Sequence, residues 1–165
     1  MQVNKISMQV NLFISYSRDD GADFALHLRK HLQEKQYDVF LDTKSLSVGA
    51  NWRARIESAI DTCDVFLFII TTDSLVSNEV KEEFDLAISK RKLLMLFKHR
   101  SVQIDDLKWG LKDRNIHEFF TQEELIRIFD DRFLETDKLL TRDLNDPLVV
   151  QNKLLELKRE FDVVP

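Results

Sequence analysis

Four short apolar runs, each almost unbroken, limit what this chain can fold into. They span residues 10–16 (Val-Asn-Leu-Phe-Ile-Ser-Tyr), 37–41 (Tyr-Asp-Val-Phe-Leu), 65–70 (Val-Phe-Leu-Phe-Ile-Ile) and 93–97 (Leu-Leu-Met-Leu-Phe). A strand with one wet face alternates polar and apolar residues, so near-continuous runs predict strands covered on both faces, as in a parallel sheet. None approaches the roughly 20 residues needed to span a bilayer. Between the runs lie helical stripes: Phe24, Leu28 and Leu32; then Ile56, Ala59 and Ile60; then Val80, Phe84, Ala87 and Ile88. Strand and helix in alternation, with short connections, predict a doubly wound sheet.

A weaker fifth strand is expected over residues 116–120, followed by a helix carrying Leu125, Ile128, Phe129 and Phe133. The predicted class is therefore α/β: a flavodoxin-like, doubly wound parallel sheet of about five strands with helices on both faces. Residues 9–135 form the expected domain. Residues 136–146 are polar with scattered Leu, and Pro147 can open a helix carrying Leu154, Leu157 and Phe161. Residues 136–165 are expected to be a C-terminal helical extension, or a linker to a further sensor or effector domain.

Composition narrows the partners. A net charge of -5 without a basic stripe argues against nucleic acid. The run Lys90-Arg91-Lys92 reads as the positive end of a helix. Cys63 is the single cysteine, so no internal disulfide can form; it is read as a small core residue. The first ten residues lack the apolar centre of a secretory leader. A cytoplasmic location away from membranes is expected.

In a doubly wound sheet, ligands bind outside the carboxyl ends of the strands. The polar residues gather there: Ser15, Tyr16, Ser17, Arg18, Asp19 and Asp20 after the first strand; the long loop from Asp42 to Trp52 after the second; Thr71, Thr72, Asp73 and Ser74 after the third.

These segments carry a resemblance. Phe13-Ile14-Ser15-Tyr16-Ser17-Arg18-Asp19-Asp20 resembles the opening motif of the TIR (Toll/interleukin-1 receptor) domain family. Phe40-Leu41-Asp42 through Gly49, then Trp52 and Ile56, is similar to its BB loop and following helix. Ser77-Asn78-Glu79-Val80 through Phe84 resembles its third-helix motif. Three motifs in family order cover roughly residues 9–130. The resemblance implies one of two functions. One is cleavage of the nicotinamide–ribose bond of NAD+, giving nicotinamide and ADP-ribose or a cyclic isomer, in immune, antiphage or stress signalling. The other is a non-catalytic scaffold that binds further TIR domains. In the enzymes a third-helix Glu is catalytic, and Glu83 matches it. NAD+ enters as substrate, no cofactor is expected to be bound, and activity implies self-association as a homo-oligomer or filament, because one molecule's loop completes its neighbour's site.

Helical geometry bears on that Glu independently. At about 100° per residue, Glu83 falls on the shoulder of the stripe centred on Val80, whereas Glu82 points to solvent. A lone carboxylate suits this chemistry. Nicotinamide leaves neutral, so no general acid is needed, and a fixed negative charge stabilises the oxocarbenium-like ribose. That differs from the paired carboxylates of most glycosidases. Glu79 stands where the family usually has Trp, one turn before Glu83. It either couples to Glu83, raising one pKa, or points outward as a first-turn acid favoured by the helix dipole.

The other candidates for substrate binding are Ser15, Tyr16, Ser17, Arg18, Asp42, Gly49, Trp52 and Ser74. By resemblance, Tyr16 to Arg18 lie beside the nucleotide. Arg18 can fork onto a phosphate or pair with Asp19 or Asp20. Asp42 can anchor its loop, Gly49 can supply an unusual backbone angle, and Trp52 can stack on a base or pack its helix. His27 and His31 have a metal-compatible spacing, but no third ligand accompanies them, so no metal site is expected and both read as solvated helix histidines. The three glycines form neither a phosphate-cradling loop nor a dinucleotide fingerprint. A phosphoacceptor receiver, another flavodoxin-like fold, would need acids at the end of strand one; Ser15 to Arg18 stand there instead.

Overall fold

A computed structural model describes residues 10–41 and 50–142. Five strands form one sheet: β1 (Asn11–Ser15), β2 (Asp38–Leu41), β3 (Val65–Ile70), β4 (Leu93–His99) and β5 (Ile116–Phe119). All pairings are parallel, in the order β2-β1-β3-β4-β5. Four helices accompany them: α1 (Ala22–Glu34), α2 (Ala50–Thr62), α3 (Asn78–Ser89) and α4 (Gln122–Arg142). This is the doubly wound flavodoxin-like sheet that the apolar runs predict, fifth strand included.

Side-chain alternation along each strand divides the core in two. Leu12, Ile14, Leu67, Met95 and Phe97 pack against α1 and α4 with Leu28, Leu32, Leu125 and Phe129. Phe13, Phe66, Phe68, Ile70 and Leu96 turn the opposite way, under α2 and α3, with Ile60, Val80, Phe84 and Ala87. Aromatic rings stack within that second layer: the Phe13 ring lies between Phe40 and Phe66 with centroids 5.3 Å from each. Truncating one such fully buried ring to Ala costs about 3–5 kcal/mol.

Several elements differ from the sequence reading. Strand β4 continues through Lys98 and His99. Lys98 is buried, and its ammonium donates to the Val102 carbonyl at 2.6 Å and to Glu118 at 2.8 Å, which lets a charged residue occupy a strand interior. Lys90 and Lys92 serve the end of α2 as well as their own helix. Lys90 pairs with Asp61 at 3.0 Å, and Lys92 donates to the carbonyls of Asp61 and Cys63. His31 is not simply solvated: its Nε2 lies 2.8 Å from Asp130, joining α1 to α4. His27 faces the Asp23 carbonyl one turn back. Helix α4 runs without a break from Gln122 to Arg142, into the stretch expected to be a helical extension or a linker. The rest of the expected C-terminal extension, residues 143–165, lies outside the described residues.

Candidate active site

The chain connects β1 to β2 on one side of β1, and then crosses to β3 on the other. Strand order therefore reverses between β1 and β3, and the carboxyl ends of these two strands flank the crevice where doubly wound sheets bind ligands. Ser15 is the last residue of β1, in register with Phe68 of β3.

Glu83 reaches this point from α3. The helix is started by Ser77, whose Oγ accepts the Val80 amide at 3.3 Å. Val80, Phe84 and Ala87 then anchor its apolar stripe on the sheet. Glu83 shares the inward face and is only 6% exposed, while Glu82 is exposed. That is deeper than a shoulder position requires, and the reason is a partner. The Ser15 hydroxyl, fully covered, donates to Glu83 Oε2 at 2.6 Å. Ser15 faces α3 because it lies two residues beyond Phe13 on the same side of the pleat. Glu79 is exposed on the first turn and accepts from the Ser77 hydroxyl at 3.3 Å, which is the outward of its two readings.

The turns that shape the crevice are built from short polar contacts. The Ser17 carbonyl accepts the Gly21 amide at 2.8 Å, and Ser17 Oγ accepts the Asp19 amide at 3.3 Å. Ser74 is fully buried; its hydroxyl donates to the Thr71 carbonyl at 2.7 Å and accepts the Thr71 amide at 2.8 Å. With its single proton used there, Ser74 shapes the turn after β3 rather than presenting a donor to the crevice. Tyr16 packs into the α1/α4 cluster, the opposite side of the sheet from Glu83. Arg18 is exposed. Trp52 lies on α2, its ring 6.5 Å from Phe40 with the Arg55 guanidinium 5.5 Å over it, so it packs between strand and helix. Asp42 and Gly49 lie outside the described residues.

Two further residues matter here: Asp20, which lies in the opening motif and reads there only as a partner for Arg18, and Trp109, which belongs to no motif. Asp20 accepts from the Thr71 hydroxyl and from the Asp73 amide, bridging the turns after β1 and β3. Its negative charge, with smaller contributions from burial and Asp19, raises the pKa of Asp73. Trp109, in the connection after β4, lies with its ring 6.4 Å from Phe68 and 6.2 Å from Phe84, adding aromatic surface beside the helix that carries Glu83. Cys63 is buried, and desolvation pushes its thiol up to about 12, as suits an inert core residue. Among the described residues, no cluster of His, Cys, Asp and Glu could hold a metal ion, and no helix is long and apolar enough to cross a membrane.

The fold and the crevice define a flavodoxin-like α/β domain with a buried carboxylate at its topological switch point. Residues 12–133 match the family model of the TIR domain, and the chain belongs to that family. It is 25% identical over 106 residues to the 2′ cyclic ADP-D-ribose synthase AbTIR of Acinetobacter baumannii. That match covers 62% of this chain and 39% of the relative, so the chain spans about two fifths of that protein's length. Among solved structures it is similar to the TIR domain of the Toll-related receptor TRR-2 of Hydra magnipapillata, with a TM-score of 0.61, 15% identity, and coverage of 78% of this chain and 98% of that one. It is also similar to the Clostridium botulinum CMP N-glycosidase BcmB, with a TM-score of 0.55, 16% identity, and coverage of 73% and 97%. These two likenesses speak for the fold alone.

Proposed function

We propose that this TIR domain cleaves the nicotinamide–ribose bond of NAD+, with Glu83 as the catalytic carboxylate. The observation that carries the reading is the Glu83 side chain, drawn out of water and hydrogen-bonded to Ser15 at the switch point of the sheet. A surface glutamate serving only helix propensity has no reason to be there. The name of the Acinetobacter relative, a cyclic ADP-ribose synthase, supports the same substrate.

The chemistry follows from the charge. As the bond from C1′ to the pyridinium nitrogen breaks, its electron pair leaves with nicotinamide and the ribose gains positive character. A carboxylate in a low-dielectric crevice stabilises that charge more than one in water. Water then attacks C1′ to give ADP-ribose, or a nucleophile of the same molecule attacks to give a cyclic isomer; a proton is released in either case. Arg18 is placed by the opening motif to meet a phosphate, and Asp42 and Gly49 belong to the loop that the resemblance puts beside the substrate, whereas Trp52 serves the packing of α2. Assembly with further copies, a cytoplasmic setting and a role in immune or stress signalling belong to the same reading.

Incubating the concentrated protein with NAD+ and resolving products by chromatography tests it. Nicotinamide should appear with wild type and fall at least about 100-fold in Glu83→Gln, with fold and assembly unchanged. A wild-type protein that assembles yet releases no nicotinamide would instead be a scaffold.

A further inference from the structure

We propose that Ser15 is a positioning residue, whose hydroxyl fixes the Glu83 carboxylate, and not a group that touches the substrate. The inference rests on the reading of Glu83 above and revises the substrate-binding role that the motif implies for Ser15.

The geometry leaves the hydroxyl little else to do. A serine carries one O–H donor, and here it goes to Glu83 Oε2 at 2.6 Å, within the short range of charge-assisted bonds. Ser15 has no exposed surface, so a substrate could meet it only by displacing the neighbours that cover it. The two partners are 68 residues apart, one on a strand and one on a helix. β1 is hydrogen-bonded to β2 on one side and β3 on the other, which makes it a rigid reference for a helix side chain. A free glutamate explores many rotamers, and ordering it costs side-chain entropy. A bond to a central strand settles that orientation before substrate arrives. A charge already in place as the ribose turns cationic avoids reorganisation at the moment of reaction.

Two measurements on the full chain test this, one with activity and one without. In Ser15→Ala, nicotinamide release at varied NAD+ should show kcat reduced at least about tenfold, with KM within about twofold of wild type. Urea denaturation of Ser15→Ala, Glu83→Met and the double variant should be non-additive, the double losing less stability than the two singles together. A raised KM with kcat unchanged would make Ser15 a substrate contact and overturn the proposal. Additive denaturation would overturn it equally, since the two side chains would then be unpaired in solution. If wild type releases no nicotinamide while the denaturation cycle is non-additive, the enzyme reading alone fails and Ser15 still orients Glu83.

Discussion

The Thr71 hydroxyl donates to Asp20 Oδ1 at 2.5 Å, and the other oxygen of the same carboxylate accepts the Asp73 amide at 2.9 Å. One side chain thus ties the turn leaving β1 to the turn leaving β3, the two walls of the switch-point crevice. Thr71 is buried, so its hydroxyl depends on a protein acceptor.

Asp20→Ala removes both acceptors at once. The expected loss is about 1–2 kcal/mol, read as a lower urea midpoint, and it should shrink when Thr71→Val has already removed the hydroxyl. The charge matters separately. The pKa of Asp73 is raised chiefly by Asp20, so Asp20→Asn should bring the Asp73 carboxyl down towards its ordinary range in a carbon-detected NMR titration. An unchanged Asp73 titration would mean that the two carboxylates do not sense each other.

Gly21 is set by a close approach of backbone to backbone. A Cβ built there would lie 2.8 Å from the Ser17 carbonyl oxygen, the same oxygen that accepts the Gly21 amide. No flexible side chain stands in the way to yield, so Gly21→Ala must shift the turn itself. Stiffening the unfolded chain returns about 0.4–1 kcal/mol, while the overpacking costs about 1–3 kcal/mol. The variant should melt at a lower temperature. On the NAD+ reading, displacement of Ser17 and Arg18 should also raise KM more than it lowers kcat. A higher melting temperature would show that the turn accepts the methyl group.

Much of this architecture was legible in one dimension because burial writes itself as apolar runs. Val65 to Ile70 reads as a strand covered on both faces and is one. The helix ends were harder. α1 and α3 stop at Gln36 and Arg91, both left-handed with φ of 66° and 55°, where a glycine would usually announce the stop. The chain there satisfies carbonyls with the amides of Tyr37 and Lys92, reaching back to Leu32 and Ala87, and that arrangement leaves no residue signature. In the crevice, only the shoulder position of Glu83 followed from its angle to Val80, not the depth of its burial. Its pairing with Ser15 did not, since it needs the pleat of β1 and the turn of α3 at once. Asp20 stood beside an equally acidic Asp19, and only the position of β3 distinguishes them.

His117 makes folding stability depend on pH. On β5 its ring packs 6.1 Å from Phe97, its Nε2 is buried with no hydrogen-bond partner among the described residues, and burial, helped by the charge of Arg132, lowers its pKa from 6.5. A histidine harder to protonate when folded than when unfolded binds fewer protons in the native state. Its stability contribution is therefore complete above about 6.5 and is lost as pH falls from there towards the folded pKa, below which the loss levels off. His117→Phe keeps an aromatic ring against Phe97 and removes the titration. Melting curves should show the variant gaining on wild type by a few degrees between pH 8 and pH 5. Every other charged group is common to the two proteins, so its contribution cancels in that difference. A difference that stays constant across the range would mean that the imidazole is protonated as easily in the fold as outside it, with its ring nitrogen open to water.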